Sequence, residues 1–312
     1  MRVGTIPVTV VTGFLGAGKT TLVNAWLAEH ARGEIAVIVN ELGAIGIDGE
    51  LLAERARTLV EITGGCICCT TYAELVKALS ELASRAPHRV IVETSGAASP
   101  AGVIRAISRT EALRLDGVIT VVDATRVPSL ASNDLALEQI GYADVVVLSR
   151  ADMCSQHTID EAREWVGARN GAAIVATSAR GVAERFEGLL AQRATDVGWR
   201  ALPAAAHASA IESVSLVVDD ELDEDRFLEW MEDELARIAG RLLRTKGVLA
   251  IRGVEPRMIL QGVADEVEVT FGAPWRDDEV RRSRLVIVGY GLDRDALARG
   301  FAACRAGRGA PT

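Results

Sequence analysis

Residues 13–21 are Gly13-Phe-Leu-Gly16-Ala17-Gly18-Lys19-Thr20-Thr21, directly after an apolar run from Pro7 to Thr12. They match G-x-x-x-x-G-K-[ST], a pattern that cradles phosphates when it connects a strand to a helix. The glycines let backbone N–H groups turn toward a phosphate, and the start of the helix adds positive charge. We predict a nucleotide site in which Lys19 neutralises phosphate charge and the Thr20 hydroxyl binds Mg²⁺. Its cofactor-binding residues are Gly13, Gly16, Ala17, Gly18, Lys19, Thr20 and Thr21.

Short apolar runs rich in β-branched residues recur after this loop. They lack the alternation of a half-exposed strand, and stretches such as Ala73 to Ser84 between them have the length of a crossover helix. We therefore predict an α/β domain over residues 1–192, a parallel P-loop sheet with helices on both faces. The predicted strands are Pro7–Thr12, Ile35–Asn40, Arg89–Thr94, Gly117–Asp123, Asp144–Ser149 and Ala172–Thr177.

The pattern changes beyond residue 192. Residues 193–209 include an Ala-rich, Pro-containing stretch that is typical of a linker. Residues 210–312 are predicted to form a smaller α+β domain. Its first strand is Ile211–Val218, and a helix follows that Asp223 can cap and Gly240 can end. The segments Thr245–Gly253, Arg257–Val263, Glu266–Phe271 and Arg284–Gly289 are predicted to be neighbouring antiparallel strands. In the last helix Leu297, Phe301 and Cys304 share one face, which predicts that Cys304 is a core residue.

Composition excludes several classes of protein. The chain has 312 residues, with 34 Lys and Arg against 43 Asp and Glu, a net charge of −9. This is the wrong sign for nucleic-acid binding, and no apolar run approaches the roughly 20 residues that span a bilayer. The N-terminus enters a strand without a cleavable signal, so we expect a soluble, cytoplasmic protein. Five cysteines are too few for a disulfide scaffold, which favours a reducing compartment.

Two acidic residues are candidates for catalysis beside the phosphate loop. Glu93 is the next-to-last residue of the strand Arg89–Thr94, where it can hold Mg²⁺ through water or orient the attacking water; the alternative is a solvated glutamate at a strand end. Gly96, three residues later, lets the backbone approach the γ-phosphate. Asp48 follows Asn40-Glu41-Leu42-Gly43, where a switch segment would lie, although an ordinary loop aspartate explains it equally well.

The base of the nucleotide is predicted to be bound by Ser149-Arg150-Ala151-Asp152, which follows a later strand, together with Ser178. A carboxylate at Asp152 can accept hydrogen bonds from two donors of guanine, whereas adenine offers no such pair. Arg150 stands where GTPases usually have Lys, and its stem and planar guanidinium can lie along the base. The alternative is a turn with a surface aspartate, in a protein that binds ATP.

Three thiols crowd into Gly64-Gly65-Cys66-Ile67-Cys68-Cys69. Thiolates at this spacing suit Zn²⁺ or Cu(I). Because Zn²⁺ prefers four ligands, one position is left for Glu41, a histidine, water or a side chain of a partner, and an open position favours metal transfer over storage. The alternatives are a redox pair of Cys66 and Cys69, or inert buried thiols.

In this order the motifs resemble the CobW-type metallochaperone GTPases. The resemblance runs through the P-loop, Asn40-Glu41-Leu42-Gly43, the C-x-C-C motif, Glu93-Thr94-Ser95-Gly96, Val121-Val122-Asp123 and Ser149–Asp152. It continues in the second domain with Arg244-Thr-Lys246-Gly247, Trp275 and Arg284–Gly289. Two features depart from the family: Arg150 replaces the usual Lys, and the His-rich stretch that many members carry near the linker is missing.

The resemblance implies a Mg²⁺-dependent GTPase that cycles between GTP and GDP and delivers metal from the cysteine motif to a client metalloprotein. Zinc is the expected cargo. Cobalt, for cobalamin synthesis or nitrile hydratase assembly, is an alternative, as is a metal sensor with a structural nucleotide. A P-loop kinase that uses ATP is a further alternative, which Asp152 disfavours. The oligomeric state stays open, with a homodimer as one option.

Overall fold

The computed structural model describes residues 5–29, 35–40, 59–61, 71–179, 182–183, 211–238, 240–264, 266–276 and 279–306. The chain divides into two compact units. Unit 1 comprises Met1–Val166 and Ala173–Ala191, and unit 2 comprises Gly167–Ala172 and Gln192–Thr312. The linker predicted at 193–209 lies outside the described residues.

Strands and helices alternate in the described residues up to 183. The strands are β1 (Ile6–Thr12), β2 (Ile35–Asn40), β3 (Leu59–Glu61), β4 (Arg89–Thr94), β5 (Leu113–Asp123), β6 (Val145–Ser149), β7 (Ile174–Ala179) and β8 (Val182–Ala183). The helices are α1 (Lys19–Glu29), α2 (Thr71–Ser84), α3 (Ala101–Ser108), α4 (Val127–Leu130), α5 (Asp134–Tyr142) and α6 (Gln156–Arg169). Two 3₁₀ turns cover Ala124–Arg126 and Ala151–Met153.

These strands form a single sheet in the order β3-β2-β4-β1-β5-β6-β7-β8. All described pairs are parallel except the short β7–β8 pair. β1 lies in the middle, between β4 and β5. Because the strands are parallel, β1, β4, β5 and β6 end at the same edge, and the loops that carry the predicted nucleotide residues follow there.

Helices cover both faces of this sheet. On one face α1 packs Leu22, Val23, Trp26 and Leu27 against the strands. On the other, Ile140 of α5 and Val166 of α6 join a second cluster with residues of β6. Each fully buried side chain of this kind contributes about 1.5–3 kcal/mol to folding. The predicted α/β sheet with helices on both faces is therefore confirmed.

The element boundaries differ from prediction in a few places. β5 begins at Leu113 and not at Gly117, and β7 begins at Ile174 and not at Ala172. β3 and β8 are unpredicted, since strands of three and two residues are too short to show a periodicity.

Unit 2 contains a sheet of described strands in the order β12-β11-β10-β13-β9, all antiparallel. The strands are β9 (Ile211–Val218), β10 (Leu242–Leu249), β11 (Pro256–Val263), β12 (Glu266–Pro274) and β13 (Ser283–Tyr290), with helices α7 (Glu224–Ile238) and α8 (Arg294–Ala303).

The four strands β10–β13 are adjacent and antiparallel in this sheet, as predicted. They do not follow sequence order, because β13 pairs with β10 and β9 and not with β12. Burial explains the arrangement: β13 is buried along almost its whole length, as suits an interior strand. β12 exposes Val269 and Phe271 and lies at the edge.

Helix α7 follows its predicted pattern closely. The Asp223 carboxylate accepts a hydrogen bond from the Arg226 backbone N–H at 3.2 Å, and Gly240 has a φ of +76° just beyond the helix. Phe227 and Met231 are buried, whereas Leu235, one turn after Met231 on the same face, is only partly buried. Glu234 is buried instead, in an ion pair with Arg237.

A glycine inside α8 makes room for a tryptophan of α7. A Cβ on Gly300 would lie 2.1 Å from Trp230 Nε1 and 2.6 Å from Cδ1. The indole cannot move away easily, because it packs between Phe227 and Phe301, with ring centroids 6.1 and 5.6 Å away. Gly300 is therefore required by helix packing, although glycine costs a helix about 1 kcal/mol.

We predict that Gly300→Ala destabilises the protein, because overpacking typically costs about 1–3 kcal/mol and outweighs the gain in helix propensity. The matched control is Ala298→Gly on the exposed side of the same helix, which measures the effect of the Ala–Gly difference in helix propensity without a change in packing. The measurement is the free energy of unfolding in urea. A Gly300→Ala protein that is more stable than wild type would contradict this packing argument.

Candidate functional site

The loop between β1 and α1 depends on its glycines. Gly13, Gly16 and Gly18 have φ angles of +138°, +75° and +97°, a region that residues with a Cβ rarely adopt. Space is a second constraint at Gly13, where a Cβ would lie 2.2 Å from the carbonyl oxygen of Val121 in β5. The loop therefore lies directly on the neighbouring strand, and only glycine fits there.

Lys19, the first residue of α1, is held inside this loop. Its side chain is largely buried, and Nζ donates a hydrogen bond to the Gly13 carbonyl oxygen at 2.9 Å. The ammonium group and the N-terminus of α1 thus lie together within the turn. This combination of charge, helix dipole and inward-facing backbone is suited to binding phosphate.

Thr20 and Glu93 meet across 73 positions of sequence. The Thr20 hydroxyl donates a hydrogen bond to Glu93 Oε1 at 2.7 Å. Parallel pairing brings them together, since Val11 of β1 is in register with Glu93 of β4. Glu93 is 5% exposed, which excludes the alternative of a solvated strand-end residue. A hydroxyl and a carboxylate oxygen are hard donors, so the pair fits Mg²⁺.

Gly96 brings the loop after β4 against the phosphate loop. A Cβ at this position would lie 2.7 Å from the Leu15 backbone nitrogen and 3.0 Å from Lys19 Nζ. Any larger residue would push the phosphate loop or displace the lysine.

The predicted base-binding loop is tied to the phosphate loop by side chains. Ser149 Oγ donates a hydrogen bond to the Ala17 carbonyl at 2.7 Å, and Arg150 Nη2 donates to the Gly16 carbonyl at 3.1 Å. The other terminal nitrogen of Arg150 pairs with Asp123. The guanidinium thus joins two loops, a contact that the sequence pattern does not predict.

The remaining base-binding candidates lie at the same edge of the sheet. Asp152 is exposed in the 3₁₀ turn after β6, and Ser178 is buried near the end of the adjacent β7. The register of Leu148 with Thr177 places the ends of these two strands side by side.

Five predicted residues lie outside the described residues. They are Glu41, Asp48, Cys66, Cys68 and Cys69. Within the described ranges, no group of three or more His, Cys, Asp or Glu side chains is arranged to hold a metal ion.

Cys304 is buried in the core of unit 2, as the sequence predicts. Its thiol donates to the Gly300 carbonyl at 3.2 Å. Burial raises the pKa of Cys304 to about 11, with Asp223 adding to the shift and Arg226 opposing it. The thiol is therefore protonated at neutral pH and is a poor metal ligand. Cys154 packs at the edge of a core cluster in unit 1.

The sequence pointed to Asp123 only as part of the family motif Val121-Val122-Asp123. It is a buried carboxylate that accepts hydrogen bonds from Thr125 and pairs with Arg150. The available signal was an aspartate at the end of a strand with a threonine two residues later, which is typical of a side-chain cap.

Two domain families match nearly the whole chain. The family described as CobW/HypB/UreG, nucleotide-binding domain, matches residues 7–177. The cobalamin synthesis protein cobW C-terminal domain matches residues 211–305. The chain belongs to the CobW family. The resemblance predicted from its motifs is confirmed.

Similar proteins match almost the whole length of the chain. The zinc chaperone YjiA of Escherichia coli K12 is 32% identical, covering 96% of this chain and 99% of its own. The zinc chaperone CobW of Pseudomonas aeruginosa is 32% identical, covering 94% and 90%. The crystal structure of Zn(II)-bound YjiA GTPase from E. coli superposes with a TM-score of 0.72, at 27% identity over 97% of this chain and 99% of that one.

These relatives agree with the predicted enzyme class. The chain is a P-loop GTPase of the CobW family, as predicted. Within the described ranges, none of the helices combines the length and hydropathy needed to span a bilayer.

We predict that Gly96→Ala impairs GTP turnover far more than stability, because its methyl group would displace the Leu15 backbone and Lys19 from their positions. A displacement of about 1 Å in a catalytic site can lower the rate by about 100-fold. The matched control is Ala97→Ser at the exposed neighbouring position. Steady-state phosphate release measures the effect, and turnover equal to that of wild type would show that the close contact has no role.

Proposed function

We propose that this protein is a GTP-driven zinc chaperone that carries Zn²⁺ on Cys66, Cys68 and Cys69 and releases it to a client metalloprotein. The names of its full-length relatives, zinc chaperones in two bacteria, support zinc as the cargo. The observation that carries the proposal is the strand register around Glu93, because it places Glu61, the residue before the thiol segment, near the nucleotide residues.

That register involves three adjacent strands. Val39 of β2 is in register with Glu93 of β4 on one side and with Glu61 of β3 on the other. Glu61 therefore lies two strands from Glu93, about 10 Å at the usual strand spacing. The segment 62–70, which contains the three thiols, begins directly after Glu61.

The predicted switch segment begins at the same level. Asn40 is in register with Thr94, the residue after Glu93, and the segment 41–58 follows it. The described residues that precede the two segments, Asn40 and Glu61, thus lie near the proposed Mg²⁺ ligand. Contacts to the γ-phosphate and its Mg²⁺ commonly order such segments, and hydrolysis releases them.

Each residue at the sheet edge has a role in this proposal. Lys19 and the loop backbone bind the phosphates, and Thr20 with Glu93 holds Mg²⁺, which neutralises charge on the phosphates. Glu93, with Asp48 of the switch segment, orients the attacking water. Gly13, Gly16, Ala17, Gly18 and Thr21 complete the phosphate site.

Guanine recognition is assigned to the loop after β6. The exposed carboxylate of Asp152 accepts from two donors on the base, and Ser149, Arg150 and Ser178 complete this part of the site. The hydrogen bonds from Ser149 and Arg150 to the carbonyls of Ala17 and Gly16 hold base and phosphate sites together.

The cargo is bound through soft ligands and not by the Mg²⁺ residues. Three thiolates with Glu41 as the fourth ligand make a tetrahedral set that suits Zn²⁺. A carboxylate from the switch segment would leave the metal when that segment moves, and the opened position would accept a ligand from the client.

We predict that Asp152→Ala lowers GTP affinity by about 2 orders of magnitude, because hydrogen bonds to a charged group contribute about 1.5–3 kcal/mol each. ATP affinity should barely change. Asp160→Ala, an exposed acidic residue in α6, is the matched control. Titration calorimetry measures both nucleotides, and equal wild-type affinities for GTP and ATP would refute the guanine assignment.

We predict that reduced protein binds about one Zn²⁺ per chain and binds it more tightly with a non-hydrolysable GTP analogue than with GDP. The expected difference is about 5- to 150-fold, the usual range for coupled sites. By linkage, Zn²⁺ must strengthen binding of the analogue relative to GDP by the same factor. Competition with a chromophoric chelator in both nucleotide states measures it.

The controls separate delivery from its alternatives. Replacing Cys66, Cys68 and Cys69 by Ser should abolish tight binding, whereas Cys304→Ser should leave it unchanged because that thiol is buried and protonated. Equal Zn²⁺ affinity in the two nucleotide states would refute nucleotide-driven delivery. Zinc binding with negligible GTP turnover would instead identify a sensor with a structural nucleotide.

A further inference from the structure

Asp123 occupies the space between the phosphate loop and the base loop. It is the last residue of β5, the strand between β1 and β6, and it is in register with Ser149. Asp123 is only 4% exposed. A buried carboxylate requires compensation, and both of its oxygens receive it.

The two oxygens of Asp123 have different partners. Oδ1 accepts from the Thr125 backbone N–H at 3.0 Å and from the Thr125 hydroxyl at 2.6 Å. Oδ2 pairs with Nη1 of Arg150. Thr125 therefore fixes the carboxylate in an orientation that presents Oδ2 to the arginine.

Arg150 in turn connects this carboxylate to the phosphate loop. Its second terminal nitrogen donates to the Gly16 carbonyl at 3.1 Å. Its backbone has a φ of +55°, which a residue with a side chain adopts only when its surroundings compensate. The ion pair and the carbonyl contact are such compensation, and they lie two residues before Asp152.

The double contact explains why this position carries Arg. A guanidinium presents separate nitrogens to two acceptors in a fixed plane, whereas Lys has a single nitrogen on a flexible stem. Arg150 and Asp123 thus form one unit, and exchanging the arginine for lysine would break one of its two connections.

We propose that Asp123 is a positioning residue for guanine recognition: through Arg150 it fixes the base loop relative to the phosphate loop before nucleotide binds. The proposal rests on the assignment of Asp152 to guanine. A nucleotide must contact both loops at once. When the loops are ordered before it arrives, binding does not include the entropic cost of ordering them. Adenine nucleotides do not gain from Asp152, so they gain little from this ordering.

The test compares GDP with ADP in the full-length protein with Mg²⁺. Asp123→Asn keeps an acceptor for Thr125 but loses the charge that holds Arg150. Arg150→Lys keeps the positive charge but loses the second nitrogen that reaches the other acceptor. Each should weaken GDP binding about tenfold, the effect of one charged hydrogen bond, and change ADP binding less than twofold. The double variant should be no worse than either single variant, because both remove the same unit.

Two further variants keep the result interpretable. Arg126→Ala changes an exposed arginine on the adjacent 3₁₀ turn and should alter neither affinity. Arg150→Gly removes the side chain while suiting the positive φ, so it should fold and still lose GDP affinity even if Asp123→Asn does not fold. Thermal unfolding of each variant verifies folding.

Several outcomes would overturn the proposal. Parallel losses for GDP and ADP would show a general structural role in the phosphate loop, and additive losses in the double variant would show that the two residues act separately. If the wild type prefers GDP and the variants bind GDP as tightly as the wild type does, the positioning role is refuted and the guanine assignment stands. A wild type that binds GDP and ADP equally would refute the guanine assignment and the positioning role with it.

Discussion

Parallel pairing of β1 with β4 on one side and β5 on the other is the constraint on which the site depends. The phosphate loop follows β1, Glu93 is the next-to-last residue of β4 and Asp123 is the last residue of β5. Because parallel strands end at a common edge, these groups meet without any local sequence relation between them. The contact of Thr20 with Glu93 and the close approach of Gly13 to Val121 are direct results of that register.

Charge in this region is compensated by short-range contacts within the site itself. Lys19 is buried yet bonds to the carbonyl of Gly13, and Asp123 is buried yet bonded on both oxygens. Groups held in this way lose little freedom when a ligand arrives, which lowers the cost of binding. The same region that needs a rigid phosphate site also borders the two segments that are proposed to respond to the nucleotide.

Most of the central sheet could be predicted, because strands buried on both faces give continuous apolar runs. The order of the second sheet could not, since antiparallel strands of similar composition do not reveal which neighbour they choose. β13 lies inside that sheet because it is apolar on both faces, and β12 lies at the edge with Phe271 exposed. Leu235 and Glu234 show a similar limit, because helix periodicity predicts a face but not how deeply each residue is buried.

The sequence by itself determined the phosphate loop, because positive φ angles at glycines and a lysine at the start of a helix are local properties of consecutive residues. It also made Glu93 and Asp152 candidates by their places near the carboxyl ends of strands. Only the tertiary structure decided the partners of Asp123, the double contact of Arg150 and the tight approach of Gly96. These depend on strand register and on distances between side chains far apart in the chain, and no pattern of neighbouring residues encodes them.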